Sequence, residues 1–128
     1  MQKVVVDSDV VIDHLRSRSE ILNAIAVGFS SGKIRVFIPS IVLTEISTGA
    51  DTRDSKKLAL IEKFLQRFEF LLADWTISQK SGFLMRDYPT LSLADAIVAA
   101  STLEIGGKLA TKNLKDFRQI RELKFFKP

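Results

Sequence analysis

Cysteine is absent from the 128 residues, and His14 is the only histidine. Without thiols there is no disulfide, no thiol nucleophile and no thiolate zinc site. A single imidazole also rules out paired-histidine catalysis and histidine-rich metal centres. Long apolar runs are missing too: none approaches the ~18 residues needed to span a bilayer. The opening MQKVVVDSD has only a short apolar run followed by acids, so it does not read as a signal peptide. If the chain does hydrolytic chemistry, carboxylates must carry it.

Apolar residues make up 46% and charged residues 27%, the balance of a soluble globular protein. The length suits one domain over residues 1–128, large enough for a real core. The formal charge of +4 is unevenly spread. Residues 106–128 hold seven Lys/Arg against two acids, leaving twelve basic and thirteen acidic groups in residues 1–105. A basic C-terminal edge on a near-neutral body suits a polyanionic partner such as nucleic acid, and equally suits a solvated lysine-rich surface.

The elements alternate. Val4–Val6 is a continuous β-branched run, the pattern of a strand buried on both faces. Ser19 precedes a helix running to about Gly32, and RVFI (35–38) is a second strand stopped by Pro39. Ser40 is placed to cap SIVLTEIST, with Gly49 as its glycine stop. DSKKLALIEKFLQRF (54–68) carries a helical apolar stripe at 58, 61, 64, 65 and 68. EFLL (69–72) is a third strand candidate, and residues 76–86 form a helix broken at Tyr88-Pro89. Residues 92–105 form a helix ended by Gly106-Gly107. KLAT (108–111) is a fourth strand, a helical turn follows near 114–121, and residues 124–126 suit an edge strand. Strands alternating with helices imply right-handed crossovers and a mostly parallel sheet of four to five strands. In such α/β folds ligands collect beyond the carboxyl ends of the strands, where Asp7, Thr111 and Asn113 fall.

VVVDSDVVIDHL places Asp7, Asp9 and Asp13 directly after a buried strand, where a carboxylate needs a compensating partner. Asp7 could be a helix cap, but Ser8 and Asp9 offer less buried caps. Asp9 and Asp13 lie four apart on one side of the next helix, and one of them suits the first-turn dipole; Asp13 is not placed in the site. Glu45 sits among Val42, Leu43 and Ile46, an uncommon place for an unpartnered glutamate. Its plain reading is an exposed polar stripe with Thr44 and Thr48. Asp95 completes a capping-box pattern with Ser92, yet AIVAAS after it is so apolar that the helix must be largely buried. Asp116 lies among lysines and suits a turn cap. Carboxylates converging in one cleft repel each other and call for a hard cation. With no thiols and one imidazole, oxygen ligands point to Mg²⁺ or Mn²⁺. That is the arrangement of metal-assisted phosphodiester hydrolysis.

Four stretches in order, VVVDSDVVIDHL, IPSIVLTEI, SLADAIVAAS and LATKNLKDF, resemble the motifs of PIN domains, and more narrowly those of VapC-type toxin nucleases. The resemblance covers essentially the whole chain. It implies a three-layer α/β/α fold and Mg²⁺- or Mn²⁺-dependent cleavage of RNA. By position, Asp7, Glu45 and Asp95 would hold the main metal. Asp116 would hold a second ion or orient water, and Thr111, Asn113 and Asp9 would help position the substrate. It further implies a cytoplasmic protein, a homodimer and an inhibitory antitoxin partner. Asp9 departs from the neutral residue more usual in the family, and Asp87 is an extra acid near the third motif. Alternatives are a PIN nuclease of RNA processing, an inactive RNA- or protein-binding PIN module, and a haloacid-dehalogenase-like phosphatase with Asp7 as nucleophile and Asp9 as acid/base.

Overall fold

The computed structural model describes residues 1–17 and 19–128. Its strands are β1 (Gln2–Val6), β2 (Ile34–Pro39), β3 (Glu69–Leu71) and β4 (Lys108–Ala110). Its helices are α1 (Ser8–Arg16), α2 (Glu20–Ser30), α3 (Ser40–Ser47), α4 (Ser55–Leu65), α5 (Trp75–Asp87), α6 (Leu93–Glu104) and α7 (Leu114–Phe117). A 3₁₀ turn at Ala50–Arg53 links α3 to α4.

All sheet pairings are parallel, in the order β3-β2-β1-β4. Val4, Val5 and Val6 are wholly buried because β1 has a neighbour on each side. From β1 the chain steps outward to β2 and β3, then returns across β1 to β4. Right-handed crossovers place α1–α4 on one face and α5–α6 on the other, giving three layers, α/β/α. The reversal between β1 and β4 is a topological switch point, where such sheets open a crevice. Parallel register sets Val6 beside Ala110, so the residues that follow, Asp7 and Thr111, emerge side by side. The Asp7 amide donates to Ala110 O at 3.0 Å.

The core runs through both layers. Phe117, Leu22, Ile25 and Ile77 are among its fully buried side chains, each contributing about 1.5–3 kcal/mol on removal from water. α6 is buried at Val98, Ala99 and Ala100 and pairs with α5. The stripe on α4 packs inward at Leu65, while Phe64 and Phe68 form edge contacts that extend to Phe29.

Three local expectations change. Ser40 is the first residue of α3 rather than its cap, because Pro39 occupies the cap position and offers no side-chain acceptor. Gly49 has φ −69°, so α3 does not end on a left-handed glycine; the chain runs directly into the 3₁₀ turn. Residues 124–126 form no full strand: Phe125 makes one parallel bridge to Leu109, with Leu109 N to Lys124 O and Phe126 N to Leu109 O both at 2.9 Å. By contrast Gly106 ends α6 at φ +65°, a conformation that side-chain-bearing residues avoid.

Candidate active site

Asp7 is 4% exposed and stands at the cap position of α1. The helix begins immediately after it, so Ser8 and Asp9 lie inside the helix and leave the capping to Asp7. Its Oδ1 accepts from Ser8 N at 2.8 Å and its Oδ2 from the Thr111 hydroxyl at 2.8 Å. The cap and the site are therefore one carboxylate.

Glu45 is half-buried on α3, and its Oε1 accepts from the Ser8 hydroxyl at 3.0 Å. The Thr44 and Thr48 hydroxyls bond back to Ser40 O and Glu45 O, so neither is the partner of the Glu45 carboxylate. Asp95 opens α6 in the other layer. Ser92 Oγ accepts from Asp95 N at 3.1 Å, which is half of a capping box. The Asp95 carboxylate instead meets Asn113 Nδ2 at 3.5 Å. The same amide donates to Asp116 Oδ2 at 3.0 Å, and Asn113 N donates to Thr111 Oγ1 at 3.0 Å. Asp9 turns to the strand-end loop, where both oxygens accept from Lys112 N, at 3.2 and 3.1 Å. Asp87 pairs with its neighbour Arg86 at the exposed end of α5, which lowers its pKa, and takes no part in this network.

The electrostatics bind the acids into one unit. Burial, then the charge of Asp9, pushes the Asp7 carboxyl up to about 7, against the pull of Thr111 and the Ser8 amide; Asp95 adds to the rise. Asp95 is also raised, by burial first, with Asp116, Glu45 and Asp9 adding repulsion and Ser92 opposing it. Asp7, Asp9, Glu45, Asp95 and Asp116 thus feel one another across the crevice between β1 and β4. Among the described residues no three acidic or histidine side chains are gathered as a ready-made cage for an ion. The donor set is nevertheless all oxygen, and its mutual repulsion is of the kind a hard cation relieves. Mg²⁺ typically takes one or two carboxylates and keeps its waters, so no closed cage is required.

The sequence offers Ser8 only as a helix cap and Lys112 only as the later lysine of the phosphatase reading; their hydrogen bonds to Glu45 and Asp9 come from the fold. Ser8 was detectable in principle, as a hydroxyl between two acids in DSD. The partner of Lys112 lies 103 residues away.

The family model described as PIN domain matches residues 4–123, and the chain belongs to that family. Solved structures share its fold. A chain of VapBC2 from Rickettsia felis, bound to a promoter DNA fragment, superposes with TM-score 0.84 at 17% identity, covering 98% of both chains. DNA-bound VapBC from Salmonella typhimurium gives TM-score 0.81 at 24% identity, covering 98% of both. VapBC-1 from nontypeable Haemophilus influenzae gives 0.78 at 21%, covering 98% of this chain and 97% of that one. No curated protein matches. The phosphatase reading gives way to the PIN family match over residues 4–123, and the later lysine it needs, Lys112, pairs through Nζ with Asp13 at 3.3 Å rather than with Asp7.

Proposed function

We propose that this PIN domain is a metal-dependent endoribonuclease, the toxin of a VapC-type toxin–antitoxin pair. The observation that supports the reading is the charge coupling of Asp7, Glu45 and Asp116, from three different elements, to Asp95 on a fourth. Asp7, Glu45 and Asp95 would hold Mg²⁺ or Mn²⁺, with Asp116 on a second ion or on the attacking water. When bound, such an ion lowers the pKa of a bound water and offsets charge on the scissile phosphate.

The chain's own groups prepare that site. Ser8 N–H and the Thr111 hydroxyl fix both oxygens of Asp7, and the Ser8 hydroxyl orients Glu45. The Asn113 amide spans Asp95 and Asp116, holding the start of α6 against α7. Lys115 and Arg118 are exposed on and beside the short helix that carries Asp116, suited to the phosphates of an RNA strand. Between α1, α3 and α4 a groove lined by Ile12, Leu15, Ile46 and Ile61 reaches Glu45. It suits an apolar antitoxin segment whose basic residue enters the acidic site. The neighbours' VapBC partnership supports this pairing, and a homodimer and a cytoplasmic location follow from the same reading. Among the described residues no helix is long and apolar enough to cross a membrane.

The test is cleavage of a mixed RNA pool with Mg²⁺, Mn²⁺ or EDTA, using Asp7→Asn and Asp95→Asn as controls. Metal-dependent fragments that vanish in both variants support the nuclease. Cleavage that survives both substitutions overturns the site.

A further inference from the structure

Three residues, Thr111, Lys112 and Asn113, separate β4 from α7, and this loop delivers most of the hydrogen bonds that organise the site. Thr111 reaches Asp7, and Asn113 reaches Asp95 and Asp116. Beyond a strand's end the backbone amides lose their ladder partners and need others. Asn113 N finds the Thr111 hydroxyl, and Lys112 N finds both oxygens of Asp9. One turn further along α1, Asp13 takes the ammonium of the same lysine at 3.3 Å. Residues four apart share a helix face. One face of α1 therefore grips Lys112 at its backbone and at its side-chain tip.

We infer that Asp9 and Asp13 are positioning residues, not metal ligands: together they clamp the loop 111–113 so that Asn113 and Asp116 stand in working order. The inference rests on the nuclease reading for its catalytic consequence, though not for the clamp itself. Asp9 is the principal jaw, because it is half-buried, engages the main chain and sits in the first turn of α1, where the helix dipole favours a carboxylate. The Asp13–Lys112 pair is part-exposed and contributes mainly by limiting the lysine's travel. The extra acid at position 9 is then explained by the amide it receives.

The decisive comparison is Asp9→Asn against Asp9→Ala. An asparagine oxygen still accepts from Lys112 N, whereas alanine leaves that amide free. Asp9→Ala is expected to lower kcat for RNA cleavage about 10- to 100-fold with little change in KM, the effect of a small misplacement of reacting groups. Asp9→Asn should recover activity to within about fivefold of wild type, and Asp13→Ala should cost about twofold. Two readouts do not depend on turnover. Amide hydrogen exchange at Lys112 should quicken in Asp9→Ala and stay slow in Asp9→Asn. Affinity in a titration with Mn²⁺ alone should weaken in both variants by no more than about 10- to 100-fold, because each removes the Asp9 charge that acts on Asp7 and Asp95. If both variants lose more than about 100-fold in Mn²⁺ affinity while Lys112 exchange stays slow in Asp9→Asn, Asp9 is a ligand and the inference falls. Unchanged Lys112 exchange in Asp9→Ala also overturns it. Should Asp9→Ala fail to fold, Asp9→Gln displaces the acceptor while keeping a polar side chain, and the same criteria apply. If wild type cleaves no RNA with either metal, the nuclease reading fails, while hydrogen exchange still decides the clamp.

Discussion

Replacing Asp7 with asparagine is expected to stabilise the metal-free protein at neutral pH, even though it removes the central acid of the site. Asp7 is buried and stands beside the charge of Asp9, and its carboxyl is raised from 3.8 to about 7. A carboxyl that holds its proton more tightly in the fold than in the unfolded chain makes the fold most stable where both states are protonated. Stability is therefore full below about pH 4 and falls as pH rises through the folded value near 7. At ~1.36 kcal/mol per pH unit, the penalty at pH 8 approaches about 4 kcal/mol. Asparagine removes the charge at nearly the same volume, but its amide must face either Ser8 N–H or Thr111, giving back roughly 0.5–1.5 kcal/mol of hydrogen bonding. The net gain should be about 2.5–3.5 kcal/mol, or roughly 9–13 °C in Tm for a chain of this length. Thermal melts in EDTA at pH 4 and pH 8 test it. The variant should melt higher at pH 8 and close to wild type at pH 4. A variant no more stable than wild type at pH 8, or a gain of equal size at both pH values, would refute the account of Asp7.

Other outcomes follow from the same structure. Mn²⁺ should raise the wild-type Tm, by about 2.7 kcal/mol of stability at 100 times its Kd, and its affinity should climb between pH 6 and 8 as Asp7 gives up its proton; calorimetry at several pH values checks both. Gly28→Ala should cost about 1–3 kcal/mol in urea unfolding, because its methyl runs into the buried Ile34 side chain. Phe117→Ala should cost about 3–5 kcal/mol, since the ring is wholly buried, and should lower activity beyond that by loosening the short helix that carries Asp116.

The layered α/β plan was legible because its signals are local and strong. VVV after two polar residues, RVFI before Pro39 and AIVAAS after a serine cap each state a type of element within a few residues. The acids were legible for a related reason: carboxylates beside buried apolar runs conflict with burial unless they serve something. What failed were termini decided by geometry that residue type does not encode. Pro39 takes the cap position at α3, and Gly49 lies at φ −69°, so neither Ser40 nor Gly49 does what its residue type suggests. The partners within the site were illegible for a different reason. Ser8 to Glu45 spans 37 positions, Asn113 to Asp95 spans 18 and Lys112 to Asp9 spans 103. Sheet register and the packing of helices on the sheet bring such pairs together.

That register also explains why the site can hold so much charge. Each principal acid stands on its own element, and each meets a neutral donor from another: Ser8 for Glu45, Thr111 for Asp7, and Asn113 for Asp95 and Asp116. Neutral donors orient the carboxylates without cancelling their charge, so the pKa rises at Asp7 and Asp95 persist. A lysine or arginine in the same places would have satisfied the acids and left little attraction for a cation. The Lys112 ammonium is drawn to Asp13 on the side of α1 rather than to Asp7. The fold thus keeps its acids ordered but uncompensated, which is the electrostatic condition a cation-dependent nuclease requires.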